Sequence, residues 1–188
     1  DQEAQANRRL LHWLMEDIQR APELTLQIVA TGMHLAPQFG STYREIERDG
    51  FRIDCKVDMQ LGPDTPAALA KSMGMGLTGF GEALQQLQPD LVLLLGDRFE
   101  LLPAAAAALV ARIPIAHLHG GETTEGAFDE SIRHAITKMS HLHFVSSVEA
   151  ARRVLAMGEE PWRTHITGAP GLDWLRQAPM LSAQAFAA

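Results

Sequence analysis

Residues 91–100 read L-V-L-L-L-G-D-R-F-E, and residues 113–122 read I-P-I-A-H-L-H-G-G-E. Each segment begins as a short apolar run of the length that a buried parallel strand uses, and each ends abruptly in glycine and in charged or imidazole side chains. The carboxyl ends of parallel strands are where open α/β sheets bind ligands. Because unpartnered acids and imidazoles are costly to bury, their density at these two strand ends favours chemistry over packing.

Helical and strand patterns alternate on both sides of these segments, which predicts an α/β fold with a doubly wound parallel sheet and helices on both faces. Upstream, the pattern predicts a helix near residues 4–19, a strand at 25–30, a helix at 43–48, a strand at 52–57 and a helix at 65–87. Downstream, it predicts strands at 90–95, 115–118, 142–146 and 165–167, with helices at 101–111, 129–139 and 148–157.

The helix predicted at 65–87 contains four glycines, each of which lowers helix stability: Gly74, Gly76, Gly79 and Gly81. We therefore expect either the close approach of another backbone at this helix or a kink within it. The pattern also begins on a helix, whereas a nucleotide-binding α/β domain ordinarily begins with the central strand of its sheet. The first strand is therefore expected to be missing from this sequence.

Composition narrows the class of protein. A chain of 188 residues with 46% hydrophobic content can bury one sizeable core. The net charge of −7 argues against nucleic acid or an anionic membrane as the main partner. Cys55 is the only cysteine, which favours a reducing compartment, and no apolar run is long enough to span a membrane. With no signal-peptide pattern at the amino terminus, we expect a cytoplasmic protein.

Asp97, Arg98 and Glu100 follow the first apolar run. Asp97 is a candidate acid or base, although it could simply cap the following helix. Arg98 is a candidate for binding a phosphate or carboxylate through its guanidinium fork, with a surface salt bridge as the alternative. Glu100 is expected to face solvent in the first helical turn, where its charge favours the helix dipole.

The second run ends in His117, His119, Gly120, Gly121 and Glu122. Alternation along a strand puts the two histidines on one face, where they could ligate a metal together with nearby acids, but two histidines are a weak metal signal. The two glycines free the backbone to turn and to offer amides to an anion. Glu122 then stands at the edge of the sheet, where an acid or base is expected.

A third set of polar residues, Asp129, Arg133 and His134, opens the helix predicted at 129–139. Asp129 and Arg133 are four residues apart, so a capping aspartate with a helical salt bridge is one explanation. The alternative is that Asp97, Glu122 and Asp129 converge from three successive strand-to-helix connections. Carboxylates crowded into a cleft have separated pKa values, so one can act as a base while another acts as an acid.

Four motifs follow one another along the chain: V-A-T-G-M-H-L-A-P-Q-F-G from Val29, L-G-D-R-F-E, H-L-H-G-G-E, and F-D-E-S-I-R-H-A-I-T-K-M-S-H-L-H-F from Phe128. Together and in this order they resemble the hydrolysing UDP-N-acetylglucosamine 2-epimerases of sialic acid biosynthesis. The sequence G-A-P-G-L-D from Gly168 also resembles the junction between the two domains of that family. The resemblance covers about residues 10–175.

The resemblance implies a two-domain fold of the glycosyltransferase B type, with the site between two Rossmann-like halves. Residues 1–168 would form the amino-terminal Rossmann-like domain, and residues 169–188 the inter-domain linker and the start of a missing carboxyl-terminal domain. In the family, that second domain supplies most of the uridine diphosphate contacts and a catalytically important histidine. The 188 residues alone are therefore expected to be inactive.

By similarity, the substrate is a UDP-sugar, no metal or cofactor is needed, and the protein is a homo-oligomer. The implied reaction is elimination of UDP to a glycal, followed by addition of water to release N-acetylmannosamine. The resemblance points to three catalytic residues, Asp97, Glu122 and Asp129. The candidate substrate-binding residues are Arg98, His119, Gly120, Gly121, Arg133 and His134.

Three alternatives remain open at this stage. The substrate could be a UDP-diacetamido-trideoxy sugar of legionaminic acid biosynthesis. The protein could instead be a metal-dependent hydrolase that uses His117 and His119. It could also be a non-catalytic module that binds a nucleotide sugar.

Overall fold

The structure is a computed structural model that describes residues 2–124 and 128–173. The α-helices whose bounds are defined in this part of the chain are α1 (Gln2–Arg20), α2 (Tyr43–Arg48), α3 (Pro66–Leu87), α4 (Leu101–Ala111), α5 (Asp129–Met139) and α6 (Val148–Ala156). The described strands are β1 (Val29–Thr31), β2 (Cys55–Val57), β3 (Val92–Leu95), β4 (Ile115–Leu118), β5 (Leu142–Val145) and β6 (Thr164–Ile166). Of the predicted linker and second-domain segment, residues 174–188 lie outside the described residues.

All pairings between these strands are parallel, which confirms the predicted α/β class. Strands β3, β4, β5 and β6 form one sheet in that order, and β1 pairs with β2 in a second sheet. Among the described residues, β1 and β3 are not hydrogen bonded to each other, so the parallel strands form two hydrogen-bonded groups. The apolar pattern identifies strands, but it does not determine which of them lie close enough to pair.

The strand expected at 25–30 is shorter and later than predicted, since only Val29–Thr31 pairs with β2. Ile28 is buried in a small cluster with Ile46 and Phe51, and Leu26 packs against that cluster. The apolar residues before β1 thus reflect packing against α2 and its flanking segment as well as strand pairing.

The main core lies between the four-stranded sheet and the helices α3, α4 and α5. All four residues of β4 are buried, as expected for a central strand covered on both faces. Alanines on α4 keep that helix close to its neighbours because they add little bulk; the buried ones are Ala104, Ala105, Ala107 and Ala108.

The glycine-rich helix α3 is continuous from Pro66 to Leu87, so the predicted kink is absent from it. A Cβ atom at Gly76 would lie 2.9 Å from Met59 Cε, and one at Gly79 would lie 2.7 Å from Val57 Cγ1. The close approach predicted for this helix therefore exists, but it is made by side chains of β2 and the segment after it rather than by another backbone.

Parallel strands bring their carboxyl ends to one edge, and the connections that leave β3, β4 and β5 meet there. The connection after β1, which contains the short 3₁₀ turn Gly32–His34, reaches the same region. No helix in the described ranges is long and apolar enough to cross a membrane. The carboxyl edge is where the predicted site residues are concentrated.

Candidate active site

Arg133 joins two of the three connections at this edge. Its Nη2 donates to Asp97 Oδ2, in the connection after β3, and to Thr124 Oγ1 at 2.9 Å, in the connection after β4. The residue is only 7% exposed, and its buried Nε and Nη1 have no hydrogen-bond partner among the described residues. A buried guanidinium with unused donors beside a carboxylate is suited to binding a polar or anionic ligand.

The helical salt bridge considered between Asp129 and Arg133 is replaced by this contact with Asp97. The N-cap residue of α5 is Phe128 rather than Asp129, so Asp129 lies in the first helical turn and does not cap the helix. Burial, followed by the negative charge of Asp97, raises the pKa of Asp129, while Arg98 and Arg133 oppose that increase. Asp129 is therefore suited to hold a proton at a higher pH than an ordinary aspartate.

Glu122 is fixed by the start of the connection after β5, where Ser146 Oγ donates to Glu122 Oε1. The residue before it, Gly121, packs against α6, and its carbonyl accepts a hydrogen bond of 3.0 Å from Arg153 Nη1. The connection that carries Glu122 is thus held against α6. Because the carboxylate is anchored at one oxygen, its other oxygen can serve a ligand.

Arg98 is held by a neighbouring acid. Its Nε donates to Glu100 Oε2 and its Nη2 donates to Glu100 Oε1, each at 3.2 Å. Glu100 is only 5% exposed, so the expectation that it faces solvent was wrong. Glu100 is buried because the turn after β1 covers it: a Cβ atom at Gly32 would lie only 2.8 Å from Glu100 Cγ.

Arg98 and Asp129 also share a shallow pocket at this edge. The other residues that line it are Asp64, Leu69, Phe99 and Phe128. The pocket therefore combines a cation, two acids and apolar side chains, as small-molecule sites commonly do.

The histidines have different environments. His117 is fully buried, its Nε2 lies 2.8 Å from the Gly96 carbonyl, and its Nδ1 lies 3.1 Å from Thr137 Oγ1. Burial lowers the pKa of His117 to about 4. Because both ring nitrogens are engaged within the fold, the pairing of His117 with His119 as metal ligands is not formed.

His119 has a positive φ of 64° just after β4, and its buried Nε2 has no hydrogen-bond partner within residues 2–124 and 128–173. Burial lowers the pKa of His119, which favours the neutral ring. The Nε2 atom of His134 instead lies 3.7 Å from Glu130 Oε1 on the same helix. Across residues 2–124 and 128–173, no three His, Cys, Asp or Glu side chains are grouped so that they could hold a metal ion.

Three residues at this edge were missed by sequence reasoning: Glu100 as a buried partner of Arg98, Thr124 as a partner of Arg133, and Ser146 as a partner of Glu122. A signal existed for Ser146, because it follows β5 at the same edge as the other strand ends. Thr124 and Glu100 had no comparable signal, since their roles depend on which connections pack together.

Comparisons with known proteins agree on one family. The family described as UDP-N-acetylglucosamine 2-epimerase matches residues 16–187. A hydrolysing GDP/UDP-N,N'-diacetylbacillosamine 2-epimerase of Campylobacter jejuni is 48% identical over 85% of this chain and 41% of its own length. A hydrolysing UDP-N,N'-diacetylbacillosamine 2-epimerase of Legionella pneumophila is 41% identical over 92% of this chain and 45% of its own length.

The fold has also been solved in similar proteins. The crystal structure of a UDP-GlcNAc 2-epimerase from Neisseria meningitidis, bound to UDP-GlcNAc, aligns with a TM-score of 0.76 and 19% identity. That alignment covers 89% of this chain and 45% of the solved chain. The present chain therefore spans less than half the length of these relatives.

Proposed function

Because this chain belongs to the UDP-N-acetylglucosamine 2-epimerase family, we propose that it forms the amino-terminal half of a hydrolysing 2-epimerase that acts on a UDP-2-acetamido sugar. One arrangement carries the proposal. Asp97 lies in the connection after β3, whereas Glu122 and Asp129 both lie on the connection that leads from β4 into α5, so two connections rather than the expected three bring these acids to one sheet edge, and Arg133 lies among them. An elimination that removes a carbon-bound proton and then returns one needs acids placed in this way.

In the proposed reaction, a carboxylate removes the proton from C2 of the sugar while the C1–oxygen bond breaks and UDP leaves. The glycal that results has a C1–C2 double bond. A water molecule then adds its oxygen to C1, and a proton is delivered to the opposite face of C2. With UDP-N-acetylglucosamine as the substrate, the products are UDP and N-acetylmannosamine.

The local environments suggest how these steps are shared. The raised pKa of Asp129 suits the group that holds a proton and returns it to C2. Asp97 is ion-paired with Arg133, and Glu122 accepts a hydrogen bond from Ser146, so both are candidates for removing the C2 proton. Arg98, Arg133, His119, His134 and the amides of the Gly120–Gly121 turn are proposed to bind the substrate.

A second substrate has specific support. The relatives that are 48% and 41% identical are both named for UDP-N,N'-diacetylbacillosamine, a UDP-linked diacetamido trideoxy sugar. We therefore propose this sugar as the competing substrate, and the two candidates differ at C4 and C6 of the ring rather than at the reacting C1 and C2.

The activity belongs to the whole protein. The second domain is proposed to bind most of the uridine diphosphate, which would leave the present residues inactive alone. The intact enzyme is further proposed to be a cytoplasmic homo-oligomer. Light scattering coupled to size exclusion of the intact protein tests the oligomer, and a monomeric mass would contradict it.

The central experiment incubates the intact protein with each UDP-sugar in deuterated water. We expect UDP to be released together with a free 2-epimeric sugar that carries deuterium at C2, detected by NMR and mass spectrometry. The substrate with the higher kcat/KM decides between the two sugars. Release of UDP from neither sugar refutes the function, whereas free sugar without deuterium at C2 refutes the elimination route.

A further inference from the structure

We propose that Glu100 is a positioning residue that holds the guanidinium of Arg98 at the pocket shared with Asp129, where Arg98 binds the anionic part of the substrate. This inference rests on the proposed function and deepens it. It adds to the site a residue that does not itself touch the substrate.

The contact between the two residues fixes the plane of the guanidinium. Both oxygens of Glu100 accept from Arg98, one from Nε and one from Nη2, each at 3.2 Å. Two parallel contacts between a carboxylate and a guanidinium define an orientation that a single contact leaves free. The Glu100 side chain is 6% exposed and that of Arg98 is 30% exposed, so the acid is the buried anchor and the cation is the partner that reaches solvent.

Glu100 is in turn fixed by the connection after β1. A Cβ atom at Gly32 would lie 2.8 Å from Glu100 Cγ and 2.9 Å from its Oε1, so only glycine allows this backbone to cover the acid. Met33 Sδ lies 3.6 Å from Arg98 Nη2 on the same side. The turn after β1 therefore packs on the ion pair, and it covers Glu100 so that the acid cannot move towards this turn.

The orientation of Arg98 bears directly on the proposed chemistry. Arg98 and Asp129 line one pocket, and the positive charge of Arg98 opposes the increase in the pKa of Asp129. A guanidinium held in that pocket also places a positive charge where it can attract the diphosphate of a nucleotide sugar. A misplaced Arg98 would weaken both effects.

If Glu100 served only the stability of the fold, its substitution would also lower activity. The test therefore separates a positioning role from a structural one. In the intact protein, kcat/KM is measured for the wild type, Glu100→Gln, Arg98→Lys and the double variant. Lysine keeps the charge but loses the fork. If Glu100 acts through Arg98, Glu100→Gln lowers kcat/KM about tenfold or more in the wild type but less than about twofold in Arg98→Lys. Losses that multiply in the double variant overturn the inference.

Glu159 provides a matched control. Its side chain is 8% exposed and contacts Lys138 and His143, and it lies beyond the end of α6, away from the carboxyl edge. Glu159→Gln removes a comparably buried charge, so we expect a lower Tm with kcat/KM within about twofold of the wild type. An equal loss of kcat/KM in Glu159→Gln and Glu100→Gln would mean that lost stability explains both, which contradicts the positioning role.

Glu100→Asp covers the case in which Glu100→Gln does not fold. Aspartate keeps the charge, so we expect Glu100→Asp to retain part of the activity. The loss of kcat/KM that remains must also disappear in the Arg98→Lys background. Multiplying losses again overturn the inference. If the wild-type protein releases UDP from neither sugar, the proposed function fails separately, and the same cycle is then measured on the Kd of UDP-N-acetylglucosamine by calorimetry. Additive effects on that Kd, or no binding, overturn the role of Glu100.

Discussion

Replacing Gly121 by alanine should destabilise the fold and disturb the connection that carries Glu122. Gly121 has a φ of +76°, and an added Cβ atom would lie 2.3 Å from the carbonyl oxygen of Ala150 and 2.9 Å from Val154 Cγ2. The atom it meets first belongs to the backbone of α6. It cannot be moved aside by a change of side-chain rotamer, so the connection itself must shift.

The expected loss has two parts. An L-residue in the left-handed region costs about 1–2 kcal/mol relative to glycine. Overpacking against a fixed neighbour costs about 1–3 kcal/mol more, so the free energy of unfolding should fall by about 2–5 kcal/mol. The shift also moves the carbonyl that accepts from Arg153, which holds the same turn against α6.

Gly158→Ala is the matched control for the conformational part. Gly158 has a φ of +92°, and no atom in the described part of the chain lies within 4 Å of the Cβ that it would gain. The free energy of unfolding of Gly158→Ala should therefore fall by only about 1–2 kcal/mol. Urea unfolding of the intact wild type and both variants, followed by circular dichroism, measures the difference. Equal losses in the two variants would refute the close contact between Gly121 and α6.

Three further predictions concern the site and its acid sensitivity. Because burial holds the pKa of His117 at about 4, below its ordinary 6.5, the unfolded chain binds a proton that the folded chain rejects. The free energy of unfolding should therefore fall as the pH drops from 6.5 towards 4, by up to about 3 kcal/mol; an unchanged pH dependence in His117→Gln would contradict this origin. Ser146→Ala should lower turnover about tenfold through the lost hydrogen bond to Glu122, with the Tm nearly unchanged and Ser146→Thr restoring activity; full activity of the alanine variant would rule this out. Replacing any one of the three proposed catalytic acids by its amide should lower turnover on the order of a hundredfold, and near-normal turnover in all three variants, Asp97→Asn, Glu122→Gln and Asp129→Asn, would contradict the assignment.

The sequence by itself was sufficient for the class of fold and for the edge that carries the candidate site. Its apolar runs are short and end in polar residues, and these features depend only on local order along the chain. The helices α2, α4 and α5 lie where the periodicity predicts them, as does β4. The positions of Asp97, Glu122 and Asp129 at one edge follow from the rule that parallel strands share a carboxyl end.

Only the tertiary structure decided which of these residues contact one another. Helical spacing offered Asp129 as the partner of Arg133, but the packing of α5 against the connection after β3 brings Asp97 to it instead. Likewise, Glu100 occupies the N-cap position of α4, yet it is buried because the turn after β1 lies on top of it. Local patterns fix a residue's face and its neighbours within a turn. The partner of a charged group comes from a distant segment, and its identity depends on how those segments pack.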